Sequence, residues 1–158
     1  MPKLIKNGNI VDNLYTWQQD SESEATDASI VPMSKWISEQ DSIGHVAGIW
    51  IDAGEGTDDL ANIDLNQFDV IGINFPAFVD GRGFSYARLL RERLGYTGEI
   101  RALGNFIPDQ LGYLLRVGFN GFQFNDDVNL EKALELHKSF SNAYQSDVNE
   151  PRPIFLRR

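Results

Sequence analysis

The sequence contains no cysteine, and its histidines are limited to His45 and His137. Iron–sulfur clusters are normally held by thiolates, and structural zinc is held by cysteine or by several histidines. The absence of cysteine therefore excludes disulfides and thiol nucleophiles, and we predict no metal site within this chain. His45 lies at the amino end of a predicted strand and His137 on the apolar stripe of a predicted helix, so neither is placed for catalysis.

Long apolar runs and familiar cofactor motifs are also missing. No run approaches the roughly 20 residues that a membrane-spanning helix needs, and the first residues carry no apolar signal segment. We therefore expect a cytoplasmic protein with no membrane contact. Gly54–Gly56 lacks the third glycine and the spacing of a dinucleotide fingerprint, and no P-loop motif is present. No lysine follows a predicted strand, which argues against Schiff-base chemistry. No cofactor is evident.

The net charge of −9 is unevenly spread along the chain. Between Asp80 and Gly118, six arginines against four acids give a local charge of +2, which leaves −11 for the remainder. An acidic chain is a poor nucleic-acid binder, so we expect no nucleic acid as a partner. The arginine-rich segment suits either a bound small anion or an ordinary solvated surface.

At 158 residues the chain is most simply a single domain, long enough to bury a core without disulfides or metals. We divide it into an N-terminal part of residues 1–45, a core of residues 46–145 and an extended tail of residues 146–158. This division rests on the change from hairpin and loop signals to regular alternation, and then to a proline-containing end.

The N-terminal part predicts a hairpin, an acidic loop and a short helix. Asn7-Gly8 tolerates positive φ at both positions and separates two apolar pairs, so Lys3–Tyr15 is predicted to be a β-hairpin. The polar, acidic segment Gln18–Ser29 predicts a surface loop whose role stays open. Ser34 is expected to cap a helix that ends near Gln40.

From Val46 onward, apolar runs of strand length alternate with helical patterns. The predicted strands are Val46–Ile51, Val70–Phe75, Glu99–Leu103 and Gly121–Phe124. The predicted helices are Asp58–Leu65, Ser85–Leu94, Pro108–Val117 and Asn129–Tyr144. Strands that alternate with helices pair in parallel, so the predicted fold class is α/β. We favour an open parallel sheet of about four βα units with helices on both faces, and half of a (βα)8 barrel is the alternative.

Polar residues follow every predicted strand at its carboxyl end, where ligands bind in parallel sheets. At or just after these strand ends lie Asp52, Asn74, Asn105, Asn125, Asp126 and Asp127, and Gly104 precedes Asn105. Their convergence predicts a pocket for a small molecule or an anion, although polar strand ends also suit helix entry. For catalysis the candidates are Asp52, Asp80 and Asp126 as acids and bases, with Arg82 beside them. A magnesium ion on Asp52, Asp126 and Asp127 is a further alternative.

The loop Asp80-Gly81-Arg82-Gly83 is the sharpest candidate for an anion site. Gly81 and Gly83 would let the backbone take positive φ and approach a ligand or a neighbouring chain closely. The planar guanidinium group of Arg82 can donate two parallel hydrogen bonds to a carboxylate, phosphate, sulfate or sulfite. The next helix should begin near Ser85, so that its free N–H groups face the same space as Asn105. The alternative is that Asp80 pairs with Arg82 and braces the loop.

Further along the same helix, Arg88 and Arg91 lie opposite its apolar face. They are predicted to form either a partner surface or a solvated one.

The segment FPAFVDGRGFSYARLLRERLGYTGEIRALGNFIPDQLGYLLRVGFNGFQF, residues Phe75–Phe124, resembles the core of the bacterial DUF934 proteins. The resemblance rests on four sequence motifs, FPxFxDGRG, ARLLRxRxGY, GExRAxG and DQL. The segment VAGIWI fits the strand that precedes them. The N-terminal part matches only loosely. The resemblance covers roughly half of the chain with long, specific words.

The resemblance implies a role in assimilatory sulfur metabolism. The family's usual label is a probable oxidoreductase involved in sulfite reduction, and this label reflects gene neighbourhood. Sulfite reduction uses sirohaem and an iron–sulfur centre, which a chain without cysteine does not suit. We therefore expect an accessory protein that binds a small anion or a sulfite-reduction enzyme. Direct action as an oxidoreductase and a purely structural or interaction role are the alternatives, so catalysis stays open, as does a homo-oligomer.

Overall fold

The computed structural model describes residues 2–20, 22–55, 57–77 and 81–149, with the side chains of the last helix as far as Phe140. Within these residues the chain forms eight strands and four α-helices. The strands are β1 (Lys3–Lys6), β2 (Asn9–Asp12), β3 (Thr16–Trp17), β4 (Ser29–Pro32), β5 (Gly48–Ile51), β6 (Val70–Phe75), β7 (Glu99–Gly104) and β8 (Gly121–Phe122). The helices are α1 (Met33–Glu39), α2 (Arg82–Glu92), α3 (Leu111–Val117) and α4 (Leu130–Asn149).

All eight strands belong to one sheet, in the order β2-β1-β8-β7-β6-β5-β4-β3. From β3 to β8 each strand is parallel to the next one in the chain, and the β1–β2 hairpin joins β8 in antiparallel pairing. The sheet is open and curled into a half-barrel. The predicted α/β class is therefore confirmed, and the open sheet takes the half-barrel form that was given as the alternative.

Several element bounds differ from the predicted ones. The segment between β5 and β6 forms two short 3-10 helices, Asp58–Asn62 and Leu65–Gln67, in place of one helix. α1 begins at Met33 directly after β4, so Ser34 is not its cap. α4 continues to Asn149, into the predicted extended tail, and residues 150–158 lie outside the described residues. No helix in the described ranges is long and apolar enough to cross a membrane.

The helices pack on one face of the sheet, which we call the outer face. Its core joins strand residues such as Ile71, Ile73 and Ile100 to Ala87 and Leu90 of α2. Leu114 of α3 and Ala133 of α4 complete the same cluster. A sheet whose strands pair in chain order carries its connections on one side, and this explains why one cluster contains residues from every α-helix.

The opposite, inner face is crowded and is covered by residues from the β3 region. Trp50, Val70 and Leu103 form its apolar centre, and the ring of Trp17 packs edge-on against Trp50 with centroids 5.8 Å apart. Glycines alternate with these large residues: a Cβ on Gly72 would lie 2.5 Å from Leu103 Cδ1. Glycine at such positions lets neighbouring side chains fill the concave side of the curled sheet.

Candidate functional site

Two strand ends meet at the carboxyl edge of the sheet, where Asp52 follows β5 and Asn74 lies near the end of β6. Ile51 and Ile73 are paired in register and point to the outer face. The next residues, Asp52 and Asn74, therefore both point to the inner face and lie side by side. Asn74 Nδ2 donates to Asp52 Oδ1 at 2.9 Å, and the same oxygen accepts the Ala53 N–H at 2.9 Å. The Asp52 carboxylate is therefore held in one orientation, and its residue is half-buried.

The next strand ends are joined by similar contacts. Gly104, at the end of β7, has a φ of +87°, and a Cβ there would overlap Asn74 Oδ1. Asn105 Nδ2 donates to the Pro76 carbonyl oxygen at 2.8 Å, and Asn125 Nδ2 donates to Asn105 Oδ1 at 3.0 Å. Polar residues from four neighbouring strand ends therefore form hydrogen-bonded pairs along one edge, as the parallel topology predicted.

The start of α2 differs from the prediction. α2 begins at Arg82 rather than near Ser85, and Gly81 immediately precedes it. Gly81 and Gly83 do not take positive φ, since Gly81 has a φ of −92° and Gly83 lies inside the helix. A Cβ on Gly83 would lie 2.7 Å from the Phe75 ring. Glycine is needed there for space, since the first turn of α2 packs directly on β6.

Arg82 and Tyr86 connect α2 to the loop after β5. Arg82 Nη1 lies 3.1 Å from the point that a Cβ on Gly54 would occupy, and Tyr86 Oη accepts the Gly54 N–H at 3.1 Å. In the same loop, Glu55 Oε1 accepts the Asp52 N–H at 2.7 Å. Arg82 is exposed and stands at the helix N-terminus, where free N–H groups favour an anion.

Among the described residues, the remaining candidate carboxylates do not form a metal site. Asp126 and Asp127 are both exposed in the turn after β8. Among the described residues there is no group of three or more acidic or histidine side chains that could hold a metal ion, so Asp52 is not joined to these two. Asp80 lies outside the described residues, and so does Gly56.

A groove of about 610 Å³ runs between α2 and α3. Among the residues that line it, the rings of Phe84 and Tyr113 meet edge to face with centroids 4.7 Å apart, and Tyr113 is 47% exposed. Arg88 and Arg93 line the groove and are both exposed. The rest of its lining includes Gly81, Ser85, Leu89, Glu92 and Val117. The groove thus begins beside the carboxyl edge and combines two arginines with an exposed aromatic ring.

Arg91 does not belong to this surface, so its assignment to an outward partner face is wrong. Its guanidinium donates to the carbonyl oxygens of Tyr96 and Gly98 at 2.8 Å each, and to Gly118 at 3.0 and 2.9 Å. A Cβ on Gly118 would lie 2.6 Å from Arg91 Cγ. Arg91 therefore ties the end of α2 to the end of α3, and it is Arg93 that accompanies Arg88 in the groove.

A buried polar network on the inner face was missed by the sequence analysis. Arg101 and Glu99 are 2% and 4% exposed and form a two-point ion pair at 2.6 and 3.2 Å. Arg101 Nη1 also donates to Asn13 Oδ1 at 3.0 Å and to Gln123 Oε1 at 3.3 Å. Lys6 Nζ lies 3.5 Å from Glu99 Oε1. These contacts join the hairpin to β7 and β8.

The signal for this network was present in the sequence. Glu99 and Arg101 occupy alternate positions of a strand, and alternate residues point to the same face. Two opposite charges two residues apart in an otherwise buried strand thus predict a paired, buried face. The guanidinium also lies 5.5 Å from the centre of the Tyr15 ring, a contact between distant segments that no local pattern reports.

His137 is buried against the edge of Phe122, and neither ring nitrogen has a hydrogen-bond partner among the described residues. Burial lowers the pKa of His137 below its usual value. Below about pH 6.5 the unfolded chain therefore takes up a proton that the folded chain excludes, so the free energy of unfolding falls as the pH falls.

We expect His137→Leu to remove this pH dependence, which can reach about 1.4 kcal/mol per pH unit for one proton. Urea denaturation between about pH 7.5 and pH 5.5 measures it. His45→Ala, at the exposed histidine, provides the matched control variant. An unchanged slope in His137→Leu would contradict the assignment.

The sequence model of a bacterial protein family of unknown function, DUF934, matches residues 48–155. The chain belongs to the DUF934 family. The match begins at β5 and includes the carboxyl edge, α2, α3 and the groove between them, whereas the hairpin and the acidic loop precede it. Comparisons with the curated proteins and with the solved structures found no match.

Proposed function

We propose that this DUF934 protein is a cytoplasmic accessory protein of assimilatory sulfate and sulfite reduction that docks a reduction enzyme through the groove between α2 and α3. The assignment to sulfate and sulfite reduction rests on the resemblance to the family. The absence of cysteine favours an accessory role, because the sirohaem and iron–sulfur chemistry needs thiolate ligands.

The observation that carries the docking proposal is the composition of the groove. Interface hot spots are enriched in tyrosine and arginine, and Tyr113, Arg88 and Arg93 line the same groove. Neither arginine is paired with a carboxylate in the described part of the chain. Both guanidinium groups are therefore available to acidic groups of a partner, and Phe84 and Leu89 add apolar surface to the lining of the groove.

The test is a titration of the purified protein with sulfite reductase at low salt, where charged contacts are strongest. We expect saturable association that the double variant Arg88→Glu/Arg93→Glu weakens at least about tenfold. Arg116→Glu is the matched control, because Arg116 is exposed on α3 but does not line the groove. No association at low salt, or equal loss in the control, would reject the proposal.

A second candidate function is the binding of a small anion at the start of α2. It is favoured by Arg82, which stands exposed beside a helix N-terminus that has no side-chain cap. Gly81, Gly83 and Ser85 would then contribute backbone or hydroxyl donors. Calorimetric titration with sulfite, sulfate, adenylylated sulfate and phosphate tests this candidate. Heat that disappears in Arg82→Ala supports it, and the absence of heat with all four anions rejects it.

A further inference from the structure

We propose that a small cavity beside the end of β8 binds a free α-amino acid with a short apolar side chain. The cavity has a volume of about 170 Å³. Its lining includes Lys3, Gln123, Phe124, Asn125, Asp126 and Leu130. It lies on a different part of the molecule from the groove between α2 and α3, so the inference does not depend on the docking proposal.

Arg101, the buried arginine of the inner face, fixes the orientation of the side-chain amide of Gln123, which lines the cavity. Gln123 Oε1 accepts from Arg101 Nη1 at 3.3 Å and from Asn13 Nδ2 at 3.1 Å. A guanidinium only donates, so the amide oxygen of Gln123 must face Arg101 and its NH2 group must point elsewhere. That NH2 group donates to no described residue, and Gln123 lines the cavity. It is therefore a fixed donor available to a ligand.

The other polar groups provide one more donor and two acceptors. Lys3 Nζ is 2.6 Å from Asp12 and its side chain is 53% exposed, so it keeps donors for a ligand. Asn125 uses its Nδ2 to bond Asn105 at 3.0 Å, and its Oδ1 accepts from no described residue. The Asp126 carboxylate is exposed. Donors suit a carboxylate and acceptors suit an ammonium group, so the lining as a whole matches a zwitterion.

The size and apolar wall of the cavity restrict the ligand further. The cavity volume of about 170 Å³ is below the roughly 300–1,000 Å³ of pockets that hold drug-sized ligands. It therefore suits an amino acid of the size of alanine or valine better than a nucleotide. Phe124, Val128 and Leu130 provide apolar surface for the side chain. A bare oxyanion such as sulfate would leave the acceptors and the apolar wall unused.

Nuclear magnetic resonance of the side-chain amide of Gln123 tests the inference. Alanine and valine are expected to shift this resonance in a saturable way. Propionate lacks the ammonium group and n-butylamine lacks the carboxylate, so each should bind at least about tenfold more weakly than valine. Sulfate is the control for a simple anion site.

Two neighbouring acids provide matched variants. Asp126→Asn removes the carboxylate in the cavity and should weaken valine binding at least about tenfold. Asp127→Asn should leave it unchanged, because Asp127 does not line the cavity. Gln123→Met removes the amide donor and should abolish the binding of valine, with folding checked by circular dichroism. The two aspartate variants are exposed and carry the test if Gln123→Met does not fold.

Three results would overturn the inference. The first is the absence of a saturable shift with either amino acid. The second is equal binding of propionate, n-butylamine or sulfate, since the site would then not recognise a zwitterion. The third is an equal loss of valine binding in Asp126→Asn and Asp127→Asn. None of these results bears on the titration with sulfite reductase, so the two proposals fail separately.

Discussion

Replacing Glu99 with alanine is expected to lower the free energy of unfolding by about 3–5 kcal/mol. Glu99 and Arg101 are 4% and 2% exposed, and two contacts join the carboxylate to the guanidinium. Without Glu99, the buried arginine keeps its charge beside the neutral amide oxygens of Asn13 and Gln123. A buried charge that loses its partner is among the costliest single changes in a folded protein. Urea denaturation followed by circular dichroism measures the loss.

The control and a double variant identify the cause of this loss. Glu92 is an exposed acid on α2, so Glu92→Ala should change stability by less than about 0.5 kcal/mol. Combining Glu99→Leu with Arg101→Met removes both charges, and most of the stability should return. A loss below about 1 kcal/mol in Glu99→Ala, or no recovery in the double variant, would show that the charge of Arg101 is not isolated from solvent.

Replacing Arg91 with alanine is expected to cost about 3 kcal/mol, because charge-assisted hydrogen bonds contribute about 1.5–3 kcal/mol each and are not additive. The guanidinium donates to carbonyl oxygens of Tyr96, Gly98 and Gly118, and it lies 5.8 Å from the Tyr96 ring centre. Its loss leaves all three oxygens without this donor at the point where α2 and α3 end.

Thermal denaturation measures this effect. At about 2–4 °C per kcal/mol for a chain of this length, we expect Arg91→Ala to lower Tm by about 6–12 °C. Arg88→Ala is the matched control on the same helix, because Arg88 is exposed, and its effect should stay within about 0.5 kcal/mol. Equal shifts in the two variants would contradict the structural role of Arg91.

Features that depend on neighbouring residues were predictable from the sequence. Asn7 and Gly8 have φ values of +51° and +82° in the hairpin turn, as the Asn-Gly signal predicted. Gly118 ends α3 with a φ of +117°, as expected for a glycine after a helix. The carboxyl edge also follows from order alone, because parallel strands in sequence bring their polar ends to one side.

Features that depend on packing between distant segments were not predictable in this way. Gly83 lies inside α2, where Phe75 of β6 leaves no room for a side chain, whereas the local sequence pattern placed it in a loop before the helix. Arg91 is not on the outward surface that the helical pattern predicted, because its guanidinium donates to the carbonyl oxygens of Gly98 and Gly118, which lie beyond the end of α2 in the chain. Asn13 lies 88 residues from Arg101 in the sequence. The two residues are in contact because the hairpin pairs with β8.

Amide hydrogen exchange, measured with and without sulfite reductase at low salt, tests the central proposal most directly. We expect the partner to slow exchange in α2 and α3, around Phe84, Arg88, Arg93 and Tyr113, and to leave β2 unchanged. The Arg88→Glu/Arg93→Glu variant should lose this protection. The absence of any protection, or protection confined to the hairpin side of the sheet, would contradict docking through the groove.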